Sequence, residues 1–331
     1  MAVLAVPQAT GAGRLGRISS RALQVAATVI PVAFLSTFLT FGMTYLSPAS
    51  PAAELLGPAA TPASITALTH RLGLDRPFLT QYFSWLWHGL HGNLGVSYFS
   101  QIPVSTSIAQ RLPIDLSIAA VAVVIAFVLG LSAGILAATH RGKVIDHVVT
   151  GICSLLLTVP EFLLAIALII LFAVKLRLFP SLGYVSPSTS LTAWFSHIIL
   201  PAIALAMETA ADFARQMRTA LVAVLDENFV TGAVVRGFSS RRVLFRHALR
   251  NALPAPVTAL GLHLPRLIGG AVIVEMIFSL PGIGQLALQA AQTHDIPVLQ
   301  GMLLTVIAIV LVANVTTNTI VGQLRPNSGR R

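Results

Sequence analysis

The sequence predicts an all-α, polytopic membrane protein of six transmembrane helices, and three observations lead there. Hydrophobic residues make up 55% and charged residues 10% of the 331-residue chain, with a mean hydropathy of +0.83, which excludes an ordinary soluble protein. Apolar runs of the ~20 residues needed to cross a hydrocarbon core recur along it. Fifteen of the 21 Lys and Arg fall in four segments at the ends of those runs or between them: Arg14 to Arg21, Arg141 to Lys143, Arg215 to Arg250, and the tail from Arg325. Those segments alternate with the spans so that all four share one side, the positive-inside pattern. The formal charge of +10 is thereby explained without nucleic acid.

Taken in order, residues 1–21 read as a cytoplasmic tail and residues 22–324 as the transmembrane domain. Ala22 to Leu46 is uncharged and longer than a signal-peptide core, so it is expected to be a retained first span. Residues 47–112 form the one sizeable extracytoplasmic segment; its cluster Tyr82, Phe83, Trp85 and Trp87 predicts short helices at the membrane interface. His70, His88 and His91 lie there without a carboxylate or cysteine to complete a metal ligand set, so no metal is expected. Cys153, the single cysteine, reads as a small core residue.

Leu116 to Thr139 is the second span, with Gly130 and Gly134 at a spacing that lets helix backbones approach. A short turn to Asp146 leads to the third span, Val148 to Val174, with Pro160 and Glu161 near its middle. A carboxylate at that depth costs roughly 2.5 to 3.5 kcal/mol on insertion scales, so Glu161 either lines a wet cavity or is held by a structural partner. After an outer loop, His197 to Met217 is the fourth span, with Glu208 and Asp212 on one face. They are candidates for recognising a cationic group of a cargo, while Asp212 is equally placed to pair with Arg215. The fifth span, Ala255 to Leu280, carries Pro265, Arg266 and Glu275. Arg266 has Glu161, Glu208 and Asp212 as possible partners across the bundle, or it snorkels or meets a neighbouring subunit; Glu275, nine residues on, faces the other way. Val298 to Leu324 is the sixth, uncharged span, followed by a cytoplasmic tail, 325–331. Six spans place both termini inside.

Between the fourth and fifth spans, residues 218–254 form a polar, basic loop. Phe229 to Arg236 has helical composition, Gly237 breaks it, and Ser239 stands where an N-cap opens a second helix. In that helix Arg242, Arg246 and Arg250 form a cationic stripe beside an apolar one of Leu244, Ala248 and Ala252. Such a segment lies along a surface, either against anionic lipid headgroups or against a partner.

Ala233, Gly237 and the run Arg246 to Pro254 resemble the cytoplasmic "EAA" loop of ABC importer permeases, more narrowly the first permease subunit of the dipeptide/oligopeptide family. Leu72 to Pro77, Gly92 to Ser97, Ile108 to Pro113, Arg215, Arg218, Glu275, Pro281 to Gly284 and Asp295 to Gly301 carry the same resemblance, which spans residues 22 to 326. Thr231, Gly232, Glu208, Asp212, Pro265, Arg266 and Asn318 depart from its pattern. The resemblance implies an importer-permease fold in which the loop is a coupling helix. Ala233, Arg236, Gly237, Ser239, Arg241, Arg242 and Arg246 would then engage an ATPase subunit, and Glu161, Glu208, Asp212, Arg266 and Glu275 are the pathway candidates. It further implies a second permease, two ATPase subunits that bind ATP and Mg, and an extracytoplasmic solute-binding protein, with no cofactor in this chain. Neither Lys143 nor Lys175 closes a phosphate-binding loop, and no HExxH or GxSxG motif is present. A self-sufficient ion-coupled transporter or channel and a membrane-integral hydrolase using the intramembrane acids are the competing readings.

Overall fold

The computed structural model describes residues 14–47, 50–269 and 271–324. Residues 1–13, Gly270 and the tail 325–331 named above lie outside the described residues. Among those described, regular structure is helical, with one isolated β-bridge between Val96 and Pro103. In chain order the helices are α1 (Arg14–Tyr45), α2 (Pro51–Leu56), α3 (Pro62–Leu72), α4 (Phe78–Leu90), α5 (Val104–Thr139), α6 (Val144–Thr158), α7 (Glu161–Leu168) and α8 (Leu191–Leu225). They continue as α9 (Asn228–Val235), α10 (Ser240–Arg242), α11 (Leu249–Ala252), α12 (Pro254–Gly269), α13 (Val272–Ile277), α14 (Ile283–Gln292) and α15 (Ile296–Leu324).

Among the described residues three helices are each long and apolar enough to cross a membrane: α5, α8 and α15. The expected third span is not one rod. It is the pair α6 and α7, bent by 103° at Val159 and Pro160. Proline disfavours helical geometry in the residue before it, and Val159 is accordingly extended. The fifth span is likewise divided, into α12 and α13, whereas Pro265 stays inside α12. The second span starts earlier than expected, at Val104, and runs through Pro113 because Val104 and Ile108, one turn apart, bury their side chains in the core outside it.

The centre of the molecule is the contact of α5 with α8. A Cβ on Gly130 would stand 2.8 Å from the Ala210 carbonyl oxygen, and one on Gly134 would stand 2.6 Å from Met217 Cβ. The two glycines, with Ala210 and Ala214 opposite, let these helices meet backbone to backbone, as the spacing predicts. Outside this core, α1 is joined to α4 by aromatic packing: the fully buried Tyr82 packs on Phe34, Phe38 and Phe41, and its hydroxyl lies 2.9 Å from Thr37 Oγ1. The loop after α4 is fixed to the start of α15 by Asp295, which accepts from Ser97 Oγ at 2.6 Å and from the Tyr98 N–H. Burial, and then the Asp295 carboxylate, push the Tyr98 phenol up to about 12.

Candidate functional site

The basic loop folds as two short helical arms around Gly237. α9 ends in a Schellman arrangement: the Gly237 N–H donates to the Val234 carbonyl and the Phe238 N–H to the Ala233 carbonyl. Gly237 has φ +78°, a left-handed conformation that glycine adopts without strain. Ser239 then caps the next arm by accepting from the Arg242 N–H. Inside the elbow Val230, Ala233 and Val243 are buried together, with Leu225 and Phe238 beside them, so the loop is braced on the end of α8.

Of the expected coupling residues, Ala233 is buried within this brace, while Arg236, Gly237, Ser239, Arg241, Arg242 and Arg246 are exposed. The Arg242 guanidinium sits 4.6 Å from the centre of the Phe238 ring, whose other neighbour is the stacked His247 imidazole. The apolar stripe differs from the expected one. Residues Val243–Ala248 form a π-helical turn, so the buried positions are Val243, Ala248 and Ala252, and Leu244 is only half-buried. A fifth residue in that turn rotates the register by one position. The outer surface of the elbow presents Val234, Val235 and Phe245 among the arginines. Apolar side chains exposed among cations mark a contact surface, for a protein groove or for a membrane boundary.

The elbow's base is tied to the turn between α5 and α6. Arg218 of α8 grips Asp146 with two N–H groups, at 2.5 and 2.7 Å, and the Gly142 N–H donates to the same carboxylate. Arg141 reaches Asp226, just past α8, at 2.8 Å.

Deeper in the bundle, Arg266 of α12 bridges Glu161 of α7 at 2.7 Å and Glu208 of α8 at 2.5 Å. It does not take Asp212. That carboxylate accepts from Arg215 at 3.2 Å and from Gln216 at 2.8 Å, and lies 3.2 Å from His263 Nε2. Glu208 and Asp212 on α8 thus face Arg266 and His263 on α12 as two rungs. The Glu161–Arg266–Glu208 rung carries two carboxylates for one guanidinium. Arg266→Ala leaves both acids without their cation, and because the guanidinium is 53% exposed a loss of stability of about 1 kcal/mol is expected. Thermal unfolding in detergent checks it. The triple variant Arg266→Ala, Glu161→Gln, Glu208→Gln is expected to recover most of that loss.

Glu275 sits elsewhere, 1% exposed, and its role involves a residue the sequence reading did not single out, Asp115 of α5. The first three backbone N–H groups of α14 donate to these two side chains: Ile283 to Asp115 at 2.6 Å, Gly284 to Glu275 at 3.2 Å and Gln285 to Glu275 at 2.8 Å. Together they satisfy the free donors of that helix end and complement its dipole. Glycine is required beside them: a Cβ on Gly282 would lie 2.5 Å from both Asp115 Oδ1 and Glu275 Oε2, and one on Gly284 would lie 2.6 Å from Glu275 Oε1. Asp115, Asp146 and His263 are the functional-looking groups that sequence reasoning missed. The only signal was the cost of placing each beside or within an apolar run.

A bundle of long apolar helices, broken at two spans and carrying a braced, exposed basic elbow, defines a multi-pass membrane component. Residues 130–329 match the family described as binding-protein-dependent transport system inner membrane component, and residues 21–119 match that family's N-terminal region. The chain is 40% identical over 282 residues to a peptide transport system permease protein of Brucella abortus, covering 85% of this chain and 90% of that one. It is 33% identical over 322 residues to the dipeptide transport system permease protein DppB of Escherichia coli K12, covering 90% and 95%. A chain from the inward-facing MetNI methionine ABC transporter shares the fold, with a TM-score of 0.55 at 20% identity over 66% of this chain and 96% of that one. The protein belongs to the binding-protein-dependent inner-membrane components: it is the permease subunit of an ABC importer, embedded in the membrane by several spans.

Proposed function

We propose that this permease serves a peptide importer, forming the translocation pathway with a second, homologous permease. The observation that carries the cargo class is the near full-length similarity to permeases named for peptide and dipeptide transport. One of two ATPase subunits docks on the elbow around Gly237, the other on the second permease, and a solute-binding protein delivers peptide on the opposite side. ATP and Mg are bound by the ATPases; this chain holds no cofactor and performs no chemistry of its own. Both termini lie in the cytoplasm, on the side of the arginine-rich segments. ATP binding closes the ATPase pair, the elbow moves with it, and the bundle passes between inward- and outward-open arrangements. The nucleotide drives this only through its different affinity for the two states.

Within this reading the rung Glu161–Arg266–Glu208 is a charged constriction on the pathway, with Asp212 beside it. Glu275 supports the wall of that pathway from behind by fixing α14. The docking assignment is tested by purifying the tagged chain from its native membrane and assaying ATPase activity. A second permease and ATPase subunits are expected to accompany it. Arg242→Glu with Arg246→Glu is expected to release the ATPases while the permease pair stays together. ATPases retained undiminished by the reversed charges would refute docking at this loop.

A further inference from the structure

We propose that the Arg218–Asp146 pair is the joint that makes α6 follow α8 during transport, both side chains acting as positioning residues. The proposal rests on the elbow being the docking site of an ATPase. The two helices are the sides of a frame. α8 runs roughly 15 Å from Glu208 to Arg218, and α6 runs roughly 18 Å from Asp146 to Thr158, just before the bend that sets Glu161. At one end the sides are linked through Arg266, which holds both Glu161 and Glu208. At the other end the link is Arg218 with Asp146, about two helical turns before Leu225, on which the elbow is braced.

The pair is made to transmit displacement. Asp146 is 3% exposed, and each of its carboxylate oxygens accepts one guanidinium N–H, at 2.5 and 2.7 Å. Two-point pairing of planar groups fixes orientation as well as distance. Between this link and the rung, α6 has little else with which to grip α8. Its face there, Val149, Cys153, Leu156 and Leu157, meets Ala211 and Ala214, whose shallow ridges guide a sliding helix more than they lock it. The hydrogen bonds of His147, Thr150, Ser154 and Thr158 stay within α6 and its N-cap. Among the described residues, Asp146 is therefore the polar attachment of α6 to α8. An elbow displaced by its ATPase shifts α8 directly and α6 through the joint, so Glu161 and Glu208 move together relative to Arg266. Without the joint, Glu208 moves and Glu161 stays.

The test uses the chain with its co-purifying subunits in lipid membranes. Asp146→Asn keeps the shape and loses the charge; Arg218→Lys keeps the charge and loses the two-point grip. Both variants are expected to keep the ATPases bound and hydrolysing while dipeptide uptake per ATP falls about tenfold. Movement is read from nitroxide pairs in a Cys153→Ser background, one at Asn228→Cys on the elbow and one at Ile152→Cys on α6, each measured against Leu79→Cys on α4. These three positions are exposed. Trapping ATP with vanadate is expected to change both distances when Asp146 and Arg218 are intact, and only the elbow distance in Asp146→Asn. An α6 distance that still changes in both variants, or unaltered uptake per ATP, would overturn the joint and leave docking standing. Uptake and hydrolysis falling in proportion would mark a purely structural pair and overturn it too. An elbow distance that never changes, even with the pair intact, would overturn the docking reading and the joint with it.

Discussion

Gly237→Pro is expected to leave the chain inserted and assembled but to abolish ATP-coupled uptake. Proline fixes φ near −65°, whereas the elbow needs +78°, so the two arms cannot keep their angle. The substitution also removes the N–H that closes the end of α9 on Val234. Gly237→Ala separates conformation from bulk, because a Cβ there meets nothing within 4 Å. Alanine carries only the cost of left-handed backbone, about 1 kcal/mol, and is expected to retain partial transport. ATP hydrolysis and uptake measured on the same vesicles check both variants: proline should lose uptake and the stimulation of hydrolysis by loaded binding protein together. Normal uptake with proline at 237 would remove the elbow from the coupling mechanism.

Gly282→Ala is expected to be among the most destabilising single-methyl additions in the molecule. The backbone there suits alanine, with φ −84°, so the effect comes from contact alone. The methyl would occupy the point 2.5 Å from the carboxylate oxygens of both Asp115 and Glu275, driving at least one from the helix end it serves. Overpacking of this kind costs about 1 to 3 kcal/mol, and a displaced hydrogen bond about 0.5 to 1.5 more. Thermal unfolding in detergent should show a large fall for Gly282→Ala and little change for Gly151→Ala, whose added Cβ meets nothing within 4 Å. Equal behaviour of the two variants would mean that the acid pair does not hold α14.

The features legible in the sequence are those whose cause is local. Gly237 and Ser239 announce the elbow because positive φ and N-capping are properties of single residues, and Gly130 with Gly134 announces a close helix pair through spacing alone. Hydropathy locates the apolar runs, but it averages over Pro160 and over the join of α12 and α13, so a bent segment and a divided one read as straight spans. The π-helical turn at Val243 leaves no mark in a pattern read at a period of 3.6, and it moved the buried stripe from Leu244 to Val243. Arg266 had three possible carboxylate partners by sequence. Choosing Glu161 and Glu208 requires the placement of α7, which the bend at Pro160 sets. Asp115 and Glu275 are far apart in the chain and meet only because α14 brings its N-terminus between α5 and α13.

The measurement that bears most directly on the central claim is uptake of a labelled dipeptide into proteoliposomes containing the purified chain and its co-purifying subunits. Uptake is predicted to require both ATP on the ATPase side and the solute-binding protein on the other, and to vanish with Gly237→Pro. Uptake by the chain alone, without ATP and driven by an imposed ion gradient, would contradict the importer account and turn attention to Glu161, Glu208 and Asp212 as ion-coupling groups.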